Sequence, residues 1–280
     1  MTVPPAVDYL VVGHASRDLT PQGATLGGTV AYAGLTAHAL GLRVGVVTSA
    51  AADLDLSALA DLQVHRVPAP VTTSIENAYT AEGRIQTLRG RAVTLGLSAV
   101  PAPWLSAPIV HLAPIAAEID PALTGAFPAS FLGLTPQGWM RRWDETGRVR
   151  LAGWEVNREL LPAANAVVLS LEDVLGDWQA AQTMAAHCRV LVITEGARGA
   201  RVHADGRWRS VPAPAAQEVD PTGAGDVFAA VFFVQLHRSG DPWLAAAHAN
   251  QVAAGSVTRR GLAGAPSAVE ARQALAQVGP

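Results

Sequence analysis

The sequence predicts an α/β protein with a mostly parallel central sheet, and three observations support this class. Short apolar runs typical of buried strands cover residues 9–13, 44–48, 109–112, 166–169 and 190–194. Helical stretches precede or follow these runs, and such alternation is typical of a parallel sheet covered on both faces. A chain of 280 residues with 50% hydrophobic content can bury one large core.

Start and stop signals position the helices. Residues 30–40 form a small-residue helical pattern closed by Gly41, between the first two predicted strands. A long apolar run at 227–236 predicts a buried helix that ends at Gly240. Asp241 and Pro242 form an N-cap with proline in the first turn, and Ser267 begins a capping box. Three helices are therefore predicted after residue 226.

One region interrupts the alternation of strands and helices. Between residues 71 and 95, apolar residues are interspersed with Thr, Glu, Asn and Arg, and Glu82-Gly83 predicts a turn between two strands. A hairpin here is too polar on one side to lie inside the core. From these residues alone, it could be a surface hairpin without function.

Composition excludes several function classes. The net charge of −3 and the lack of basic runs give no general attraction to nucleic acid or to an anionic membrane. All 20 basic residues are arginines, so neither a P-loop lysine nor a Schiff-base amine is available. The absence of a Gly-x-Gly-x-x-Gly motif after the first strand disfavours a nicotinamide oxidoreductase. The scattered histidines give little support for a zinc site.

Two further features concern location. Cys188 is the single cysteine, so no internal disulfide can form, which fits a reducing cytoplasm. No signal peptide pattern and no apolar run of about 18 residues is present, so we expect a cytoplasmic protein without membrane association.

The most informative segment is residues 219–228, where small residues precede an apolar helix. Gly223, Ala224 and Gly225 would supply the first unpaired N–H groups of that helix, which attract an anion together with the helix dipole. Asp226 places a carboxylate at the same point. The alternative is a tight strand-to-helix turn in which Asp226 is an ordinary first-turn acid.

The block Asp-Pro-Thr-Gly-Ala-Gly-Asp at 220–226 resembles the C-terminal signature of the ribokinase family of sugar and nucleoside kinases, also called the phosphofructokinase-B family. Residues 26–34 and 193–200 match two further stretches of that family in order and spacing. The resemblance implies a single ribokinase-like domain over 1–280, with a three-layer α/β/α core. It also implies a small inserted β lid built from segments of about 15–26 and 72–92, through which a homodimer could form.

The resemblance implies phosphoryl transfer from ATP with Mg²⁺, and it leaves a monovalent cation open. Asp226 would take the proton of the acceptor hydroxyl, and the N–H groups of residues 223–225 would stabilise the transferring phosphoryl group. On the nucleotide side it implies Thr194, Gly196, Gly199, Asn250 and Asp220. Asn250 could equally be a satisfied core group, and Asp220 could form a plain Asx-turn.

The metal assignment rests on a departure from the family pattern. Ser170 and Asp173 occupy the ends of a motif that typically has Asn and Glu near magnesium, with Glu172 as a competitor. Asp173 is the predicted ligand. The alternative is a helix N-cap by Ser170 followed by first-turn acids.

The acceptor side would contain Asp18, Gly27 and Gly28, together with Gln137 and Arg141. Arg141 could clamp a phosphate, or it could belong to a solvated face with Arg142. Thr29 and Tyr32 replace the lysine and asparagine typical of ribokinases and fructokinases, and the pattern around Asp18 is more similar to the inositol kinase branch. The predicted acceptor is a sugar or a myo-inositol-like polyol. A nucleoside kinase and a catalytically silent sugar or nucleotide sensor are the alternatives.

Overall fold

The computed structural model describes residues 4–21, 23–80 and 83–278. Its centre is a nine-stranded sheet in the order β15-β14-β13-β12-β9-β8-β1-β4-β5. The strands of this sheet are β1 (Tyr9–Val12), β4 (Val44–Ala50), β5 (Gln63–Pro68), β8 (Ile109–Leu112), β9 (Phe131–Leu134), β12 (Ala166–Ser170), β13 (Val190–Thr194), β14 (Ala200–Ala204) and β15 (Arg207–Val211). Neighbours pair in parallel except at β14 and β15, which confirms the predicted mostly parallel sheet.

Five α-helices lie in the described part of the chain. They are α1 (Thr29–Ala39), α2 (Trp178–Ala185), α3 (Ala224–Ser239), α4 (Pro242–Ser256) and α5 (Ala268–Ala276). The predicted caps are present, because Asp241 caps α4 and Ser267 forms a reciprocal capping box with Glu270. Gly240 follows α3 in the left-handed conformation that ends a helix. No helix among these residues has the length and hydropathy that a membrane span requires.

The central sheet separates two apolar cores. One contains alternate residues of the parallel strands packed against α1, α3 and α4, including Tyr9, Val46 and Phe233. The other contains the opposite strand faces and side chains such as Trp104, Trp139 and Met184. Burial on both faces explains why these strands are continuous apolar runs rather than alternating ones.

The second face differs from the predicted alternation of strands and helices. Between α1 and α2 the helical structure of the described chain consists only of short 3-10 turns, for example Ala102–Trp104 and Pro121–Gly125. Prolines explain this difference, since a proline removes an N–H donor and clashes within a helix interior. The prolines of this stretch include Pro101, Pro103, Pro108, Pro114, Pro121, Pro128, Pro136 and Pro162.

A separate four-stranded sheet lies outside the core, in the order β3-β2-β6-β7. Its strands are β2 (Ser16–Thr20), β3 (Gly23–Gly27), β6 (Ser74–Thr80) and β7 (Gly83–Gly90). They fall in or within one residue of the two segments for which an inserted sheet is predicted. Glu82 of the predicted turn lies outside the described residues. We call these four strands the small sheet.

A short hairpin, β10 (Arg141–Trp143) and β11 (Val149–Leu151), continues the small sheet at its β7 edge. The Leu88 N–H donates to the Gly147 carbonyl at 2.8 Å, and Thr87 forms an isolated bridge with Arg148. The hairpin therefore connects the small sheet to the segment that carries Arg141.

The chain passes between the central sheet and the small sheet four times, and these four connecting segments lie side by side. The Thr73 hydroxyl contacts His14 Nδ1 at 2.6 Å and accepts from the Ala92 N–H at 3.0 Å. A Cβ at Gly28, where φ is +90°, would lie 2.4 Å from the His14 carbonyl oxygen. These contacts join the crossings at residues 13–15, 27–29, 69–73 and 91–93, and they hold the small sheet above the carboxyl end of β1.

Candidate active site

The first turn of α3 leaves backbone donors without protein acceptors. Gly223 is the N-cap in the left-handed region, at φ +81°, and no side chain caps the helix. The Ala224 N–H donates to the Pro221 carbonyl at 3.2 Å, whereas the N–H groups of Gly223, Gly225 and Asp226 have no acceptor among the described residues. Unpaired N–H groups at the positive end of a helix dipole attract an anion. Two of the three predicted donors, Gly223 and Gly225, are thus available.

Asp226 lies in that turn and is partly exposed. Desolvation by the surrounding protein raises its pKa to about 6, and the charges of Asp18 and Asp173 act in the same direction. Thr29 and Arg141 oppose the rise. The Thr29 hydroxyl lies near the carboxylate but makes no well-formed hydrogen bond. A carboxylate with a pKa near neutrality is suited to accept and release a proton.

Asp220 organises the loop before this helix. Its Oδ1 accepts from the Thr222 N–H at 2.9 Å, which forms an Asx-turn, and its Oδ2 accepts from the Gly261 N–H at 2.9 Å. Partial burial would raise the pKa of Asp220, but hydrogen bonds from Thr222 and Gly261 and the charge of Arg260 together lower it. The contacts give Asp220 a positioning role that matches its predicted Asx-turn, and binding of a cofactor by this residue stays a prediction.

Asp18 lies on β2 opposite the start of α1. The Ser16 hydroxyl donates to its Oδ1 at 2.9 Å. A Cβ at Gly27 would lie only 2.2 Å from Asp18 Oδ2, so Gly27 allows the carboxylate to lie against the backbone. Gly28 then begins α1 without a side-chain cap. Asp18, Gly27 and Gly28 are therefore neighbours, as predicted for one subsite.

Arg141 and Gln137 form a second neighbouring pair. Arg141 donates to Gln137 Oε1 at 3.1 Å and to the Ile115 carbonyl at 2.9 Å. The guanidinium is also close enough to oppose the raised pKa of Asp226. Arg141 is partly buried, whereas Arg142 is exposed, which separates the two members of the proposed solvated face. Arg141 is thus held by Gln137 and Ile115 at a position from which its charge acts on Asp226.

Tyr32 is a residue of the site that sequence reasoning treated only as a departure from a family pattern. Its buried ring packs on Gly223, where an added Cβ would lie 2.2 Å from the ring. Burial raises the pKa of Tyr32 above its usual range, and the charges of Asp226, Asp18 and Asp220 contribute further. The phenol therefore lies among three predicted site carboxylates. A bulky residue four positions after the Gly-Gly pair is the sequence signal for it.

Ser170 and Asp173 hydrogen-bond to each other as the residues of a helix cap do, and one oxygen of the Asp173 carboxylate is left open. Asp173 Oδ2 accepts from the Ser170 N–H at 2.9 Å and from its hydroxyl at 2.8 Å, and Ser170 Oγ accepts from the Asp173 N–H at 3.2 Å. Asp173 Oδ1 accepts no hydrogen bond from the described residues. Within those residues, no group of three or more His, Cys, Asp or Glu side chains could form a metal cage. A single open carboxylate oxygen fits Mg²⁺ bound largely by water and phosphate.

The residues predicted on the nucleotide side form a separate group. Thr194 ends β13 directly beside Ser170 in the sheet register, and its hydroxyl donates to the Leu169 carbonyl at 3.3 Å. Gly196 has φ +59° and no atom within 4 Å of the position of a Cβ. Gly199 approaches the Val211 carbonyl so closely that a Cβ would lie 2.2 Å from it.

Asn250 reaches the same carbonyl from α4. Its side-chain amide donates to the Val211 carbonyl at 2.8 Å and to the Pro212 carbonyl at 3.3 Å. The buried Asn250 side chain is thus satisfied by the protein, which is the alternative role considered for it. Its contact with a nucleotide stays a prediction.

Two groups of predicted residues are therefore brought together at the carboxyl edge of the sheet. The first surrounds Asp226 and contains Asp18, Gly27, Gln137, Arg141, Asp173 and Gly223. The second joins Gly199 and Asn250 at Val211. Ligands of open α/β sheets bind at this edge. This topology and site define a ribokinase-like α/β protein.

Part of the chain is similar to known kinases. Residues 164–268 match the family model for pfkB family carbohydrate kinases. The protein is 27% identical over 257 residues to a cytidine kinase of Thermococcus kodakarensis, covering 83% of this chain and 89% of the relative.

Solved structures show the same fold. A structure concerning the conversion of a pyrophosphate-dependent myo-inositol-1 kinase into a myo-inositol-3 kinase by two substitutions superimposes with a TM-score of 0.80 at 20% identity, covering 96% of this chain and 98% of that one. Ribokinase of Arabidopsis thaliana, in complex with ribose and ATP, gives a TM-score of 0.72 at 17% identity, with 96% and 99% covered. The ribokinase-like fold is thereby confirmed.

Proposed function

We propose that this protein transfers the γ-phosphoryl group of ATP to a hydroxyl of a neutral sugar or polyol, with a myo-inositol-like polyol as the leading case. The observation that carries the proposal is Asp226, whose pKa is raised to about 6 beside the unpaired N–H groups of Gly223 and Gly225. Phosphoryl transfer to a hydroxyl requires a base close to a group that binds anions, here the start of a helix.

The reacting groups have defined places in this proposal. The acceptor lies between Asp18 and Asp226, with a hydroxyl oriented by Asp18 and another losing its proton to Asp226. The charge of the transferring phosphoryl group faces Arg141 and the first turn of α3. Mg²⁺, if bound by Asp173 and the donor phosphates, would neutralise phosphate charge.

The ATP assignment follows from the resemblance of residues 193–200 to the family's nucleotide-side loop, in which the backbone at Gly196 is uncovered. Pyrophosphate is the competing donor, since one structural neighbour is a pyrophosphate-dependent kinase. The competing acceptor is a nucleoside, because the curated relative is a cytidine kinase. Cytoplasmic location and a homodimer formed through the small sheet belong to the same proposal.

A product-detection experiment tests the proposal. The purified protein is incubated with Mg²⁺, with ATP or pyrophosphate as donor, and with myo-inositol, D-ribose, D-fructose or cytidine as acceptor. Mass spectrometry should detect a monophosphate of a neutral acceptor with ATP, and the Asp226→Asn variant should give far less. Binding of donor and acceptor without any phosphorylated product would favour the sensor and contradict the proposed kinase.

A further inference from the structure

The core on the α3 face of the central sheet contains a row of three polar side chains. The Tyr9 hydroxyl lies 2.8 Å from His111 Nδ1, and His111 Nε2 lies 3.0 Å from the Thr135 hydroxyl. Tyr9 and His111 have no exposed surface, and Thr135 is 6% exposed. We call these three residues the polar row. None of them has a role in the predicted site.

The hydrogen atoms of the polar row can be counted. Burial lowers the pKa of His111 to about 3, so the imidazole is neutral and carries one N–H. The two hydroxyls supply one hydrogen each. Two hydrogen bonds use two of these three hydrogens, so the third lies at one end of the row, on Tyr9 or on Thr135.

The free hydrogen belongs to Thr135. The fully buried Tyr9 hydroxyl has no second partner among the described residues, and an unsatisfied buried donor costs about 1–3 kcal/mol. Burial and the charge of Asp226 raise the pKa of Tyr9, so its hydroxyl keeps its proton. The Tyr9 hydroxyl therefore donates to Nδ1, and the His111 Nε2–H donates to the Thr135 oxygen. The Thr135 hydroxyl retains some exposure and can donate to an acceptor outside the protein.

Thr135 does not use this hydrogen locally. It is the N-cap residue of the 3-10 turn Pro136–Gly138, but its side chain makes no capping bond. A threonine at a helix N-cap ordinarily accepts from an N–H of the following turn. Here the oxygen accepts from His111 instead, and no other described residue lies within hydrogen-bonding distance of the hydroxyl.

Thr135 lies on the sheet face that α3 covers. Gly133 packs against the Phe233 ring, and the rings of Phe131 and His237 are 5.8 Å apart, so α3 runs antiparallel to β9. Thr135 follows Gly133 by two positions and therefore faces α3 as well. The helix residues that lie toward Thr135 are those that precede Phe233.

Asp226 lies on the same side of α3. Asp226 precedes Phe233 by about two helical turns, so the two side chains leave the helix in nearly the same direction. The charge of Asp226 also acts on Tyr9, at the other end of the polar row. The free hydrogen of Thr135 is therefore at the carboxyl edge of the sheet, on the side where α3 begins with unpaired N–H groups.

We propose that Thr135 donates a hydrogen bond to an anionic phosphate oxygen held at the start of α3, and that Tyr9 and His111 are positioning residues that fix its hydroxyl as a donor. The ligand class is a phosphate or phosphoryl group, because the neighbouring N–H groups of α3 and the charge of Arg141 also favour an anion. This inference rests on the proposed function, since it adds a donor to the same phosphate-binding helix start.

Calorimetric titration with inorganic phosphate tests the hydrogen bond. Thr135→Val removes the hydroxyl at nearly constant shape, and Thr135→Ser retains it. The Kd for phosphate should rise about tenfold in Thr135→Val, because a hydrogen bond to a charged group is lost, and should return to within about threefold of the wild type in Thr135→Ser. The Kd for myo-inositol, a neutral probe, should change less than about twofold. Unchanged phosphate affinity in Thr135→Val at a wild-type melting temperature, or a loss confined to myo-inositol, would overturn the inference.

A double-mutant cycle tests the positioning residues. Tyr9→Phe removes the hydrogen that occupies Nδ1, so His111 can adopt either tautomer and Thr135 is no longer fixed as a donor. In the wild-type background, Tyr9→Phe should therefore raise the phosphate Kd and lower kcat/KM. When Thr135→Val is already present, Tyr9→Phe should change neither quantity further. Additive losses, as expected of a purely structural role, would contradict positioning by Tyr9 and His111.

The tautomer of His111 is a readout that does not depend on activity. Its ¹⁵N chemical shifts, assigned through the contact with the Phe233 ring at 4.9 Å, should show the Nε2–H form in the wild type and both forms in Tyr9→Phe. The Nδ1–H form in the wild type would overturn the inference without any variant. If the wild type transfers no phosphoryl group, the proposed function fails, whereas the phosphate titration and the tautomer still decide this inference.

Discussion

At the scale of single residues, the protonation of Asp226 reflects opposing influences of identified neighbours. Desolvation and the charges of Asp18 and Asp173 favour the neutral acid, and Thr29 and Arg141 favour the carboxylate. The balance places the pKa of Asp226 at about 6. A catalytic base works best when its pKa lies near the pH at which the enzyme operates. A bound phosphate would shift this balance further toward the neutral form.

The Asp226→Asn variant tests the base directly. The amide keeps the shape of the side chain but cannot accept the hydroxyl proton, so we expect turnover to fall about 10²-fold or more. Donor affinity, measured by calorimetry, should change little. Near-normal turnover in a folded variant would remove Asp226 from the catalytic role.

The pH dependence of kcat/KM provides a second measurement on this residue. Only the carboxylate form accepts a proton, so kcat/KM should fall about tenfold per pH unit below about pH 6. The residual activity of Asp226→Asn should lack this acidic limb. An identical limb in both proteins would assign the titration to a different group.

Asp18→Ala tests the acceptor side. Loss of the carboxylate that lies against Gly27 should raise the acceptor KM or lower kcat/KM steeply. The reason is that a hydroxyl of the bound acceptor would lose its hydrogen-bond partner, Asp18. The donor KM should remain nearly unchanged. Asp53→Ala is a suitable control, since Asp53 is an exposed carboxylate paired with Arg17 on the outer side of the same strand. Unaltered acceptor kinetics in Asp18→Ala would show that the acceptor binds elsewhere.

Several residues of the candidate site could be predicted because the sequence shows where the backbone needs a glycine. At Gly27 and Gly223 another side chain lies so close to the backbone that a Cβ would clash with it. Asp18 and Asp226 are the carboxylates near these two glycines. Tyr32 was not recognised as part of the site, since its ring reaches Gly223 only through tertiary packing. Asn250 was weighed between two roles, and only the structure shows the carbonyls that take its amide protons.

At the scale of elements, the start of α3 depends on a glycine in a conformation that other residues avoid. Gly223→Ala would add strain at φ +81° and a clash with the Tyr32 ring. We expect the free energy of unfolding to fall by about 1–3 kcal/mol. Chemical denaturation measures it.

Gly225→Ala supplies the matched control for that measurement. Gly225 lies inside α3, and no atom lies within 4 Å of the position of its Cβ. Alanine favours a helix over glycine by about 1 kcal/mol, so stability should be unchanged or slightly higher. An equal loss of unfolding free energy in the two variants would show that the clash with Tyr32 is not what destabilises Gly223→Ala.

The elements themselves were predicted to different extents. Strands such as β8 and β13 and the caps of α4 and α5 follow from local signals, and their bounds agree closely with the sequence pattern. The 3-10 turns that cover the second sheet face were not predicted. Their apolar residues, Trp104 among them, pack through contacts distant in sequence, which periodicity does not reveal.

At the scale of the whole molecule, the raised pKa of Asp226 also links function to stability. The folded protein binds this proton more tightly than the unfolded chain, so stability contributed by this group is lost as pH rises from about 4 to 6. Asp226→Asn should therefore be more stable than the wild type at pH 8, by about 1–2 kcal/mol after allowance for partial exposure, and the advantage should vanish near pH 4. Urea denaturation at the two pH values measures this difference. A constant difference at both would contradict the linkage.

The Thr73 hydroxyl has a consequence for how the molecule opens. It joins His14 and Ala92, and Gly28 lies against the His14 backbone, so a strand of the small sheet that separates from the central sheet disturbs the other strands. The small sheet should then detach as one cooperative unit rather than by fraying of single strands. In native-state hydrogen exchange, backbone amides of β2, β6 and β7 should share one opening free energy, and Thr73→Val should lower all of them together.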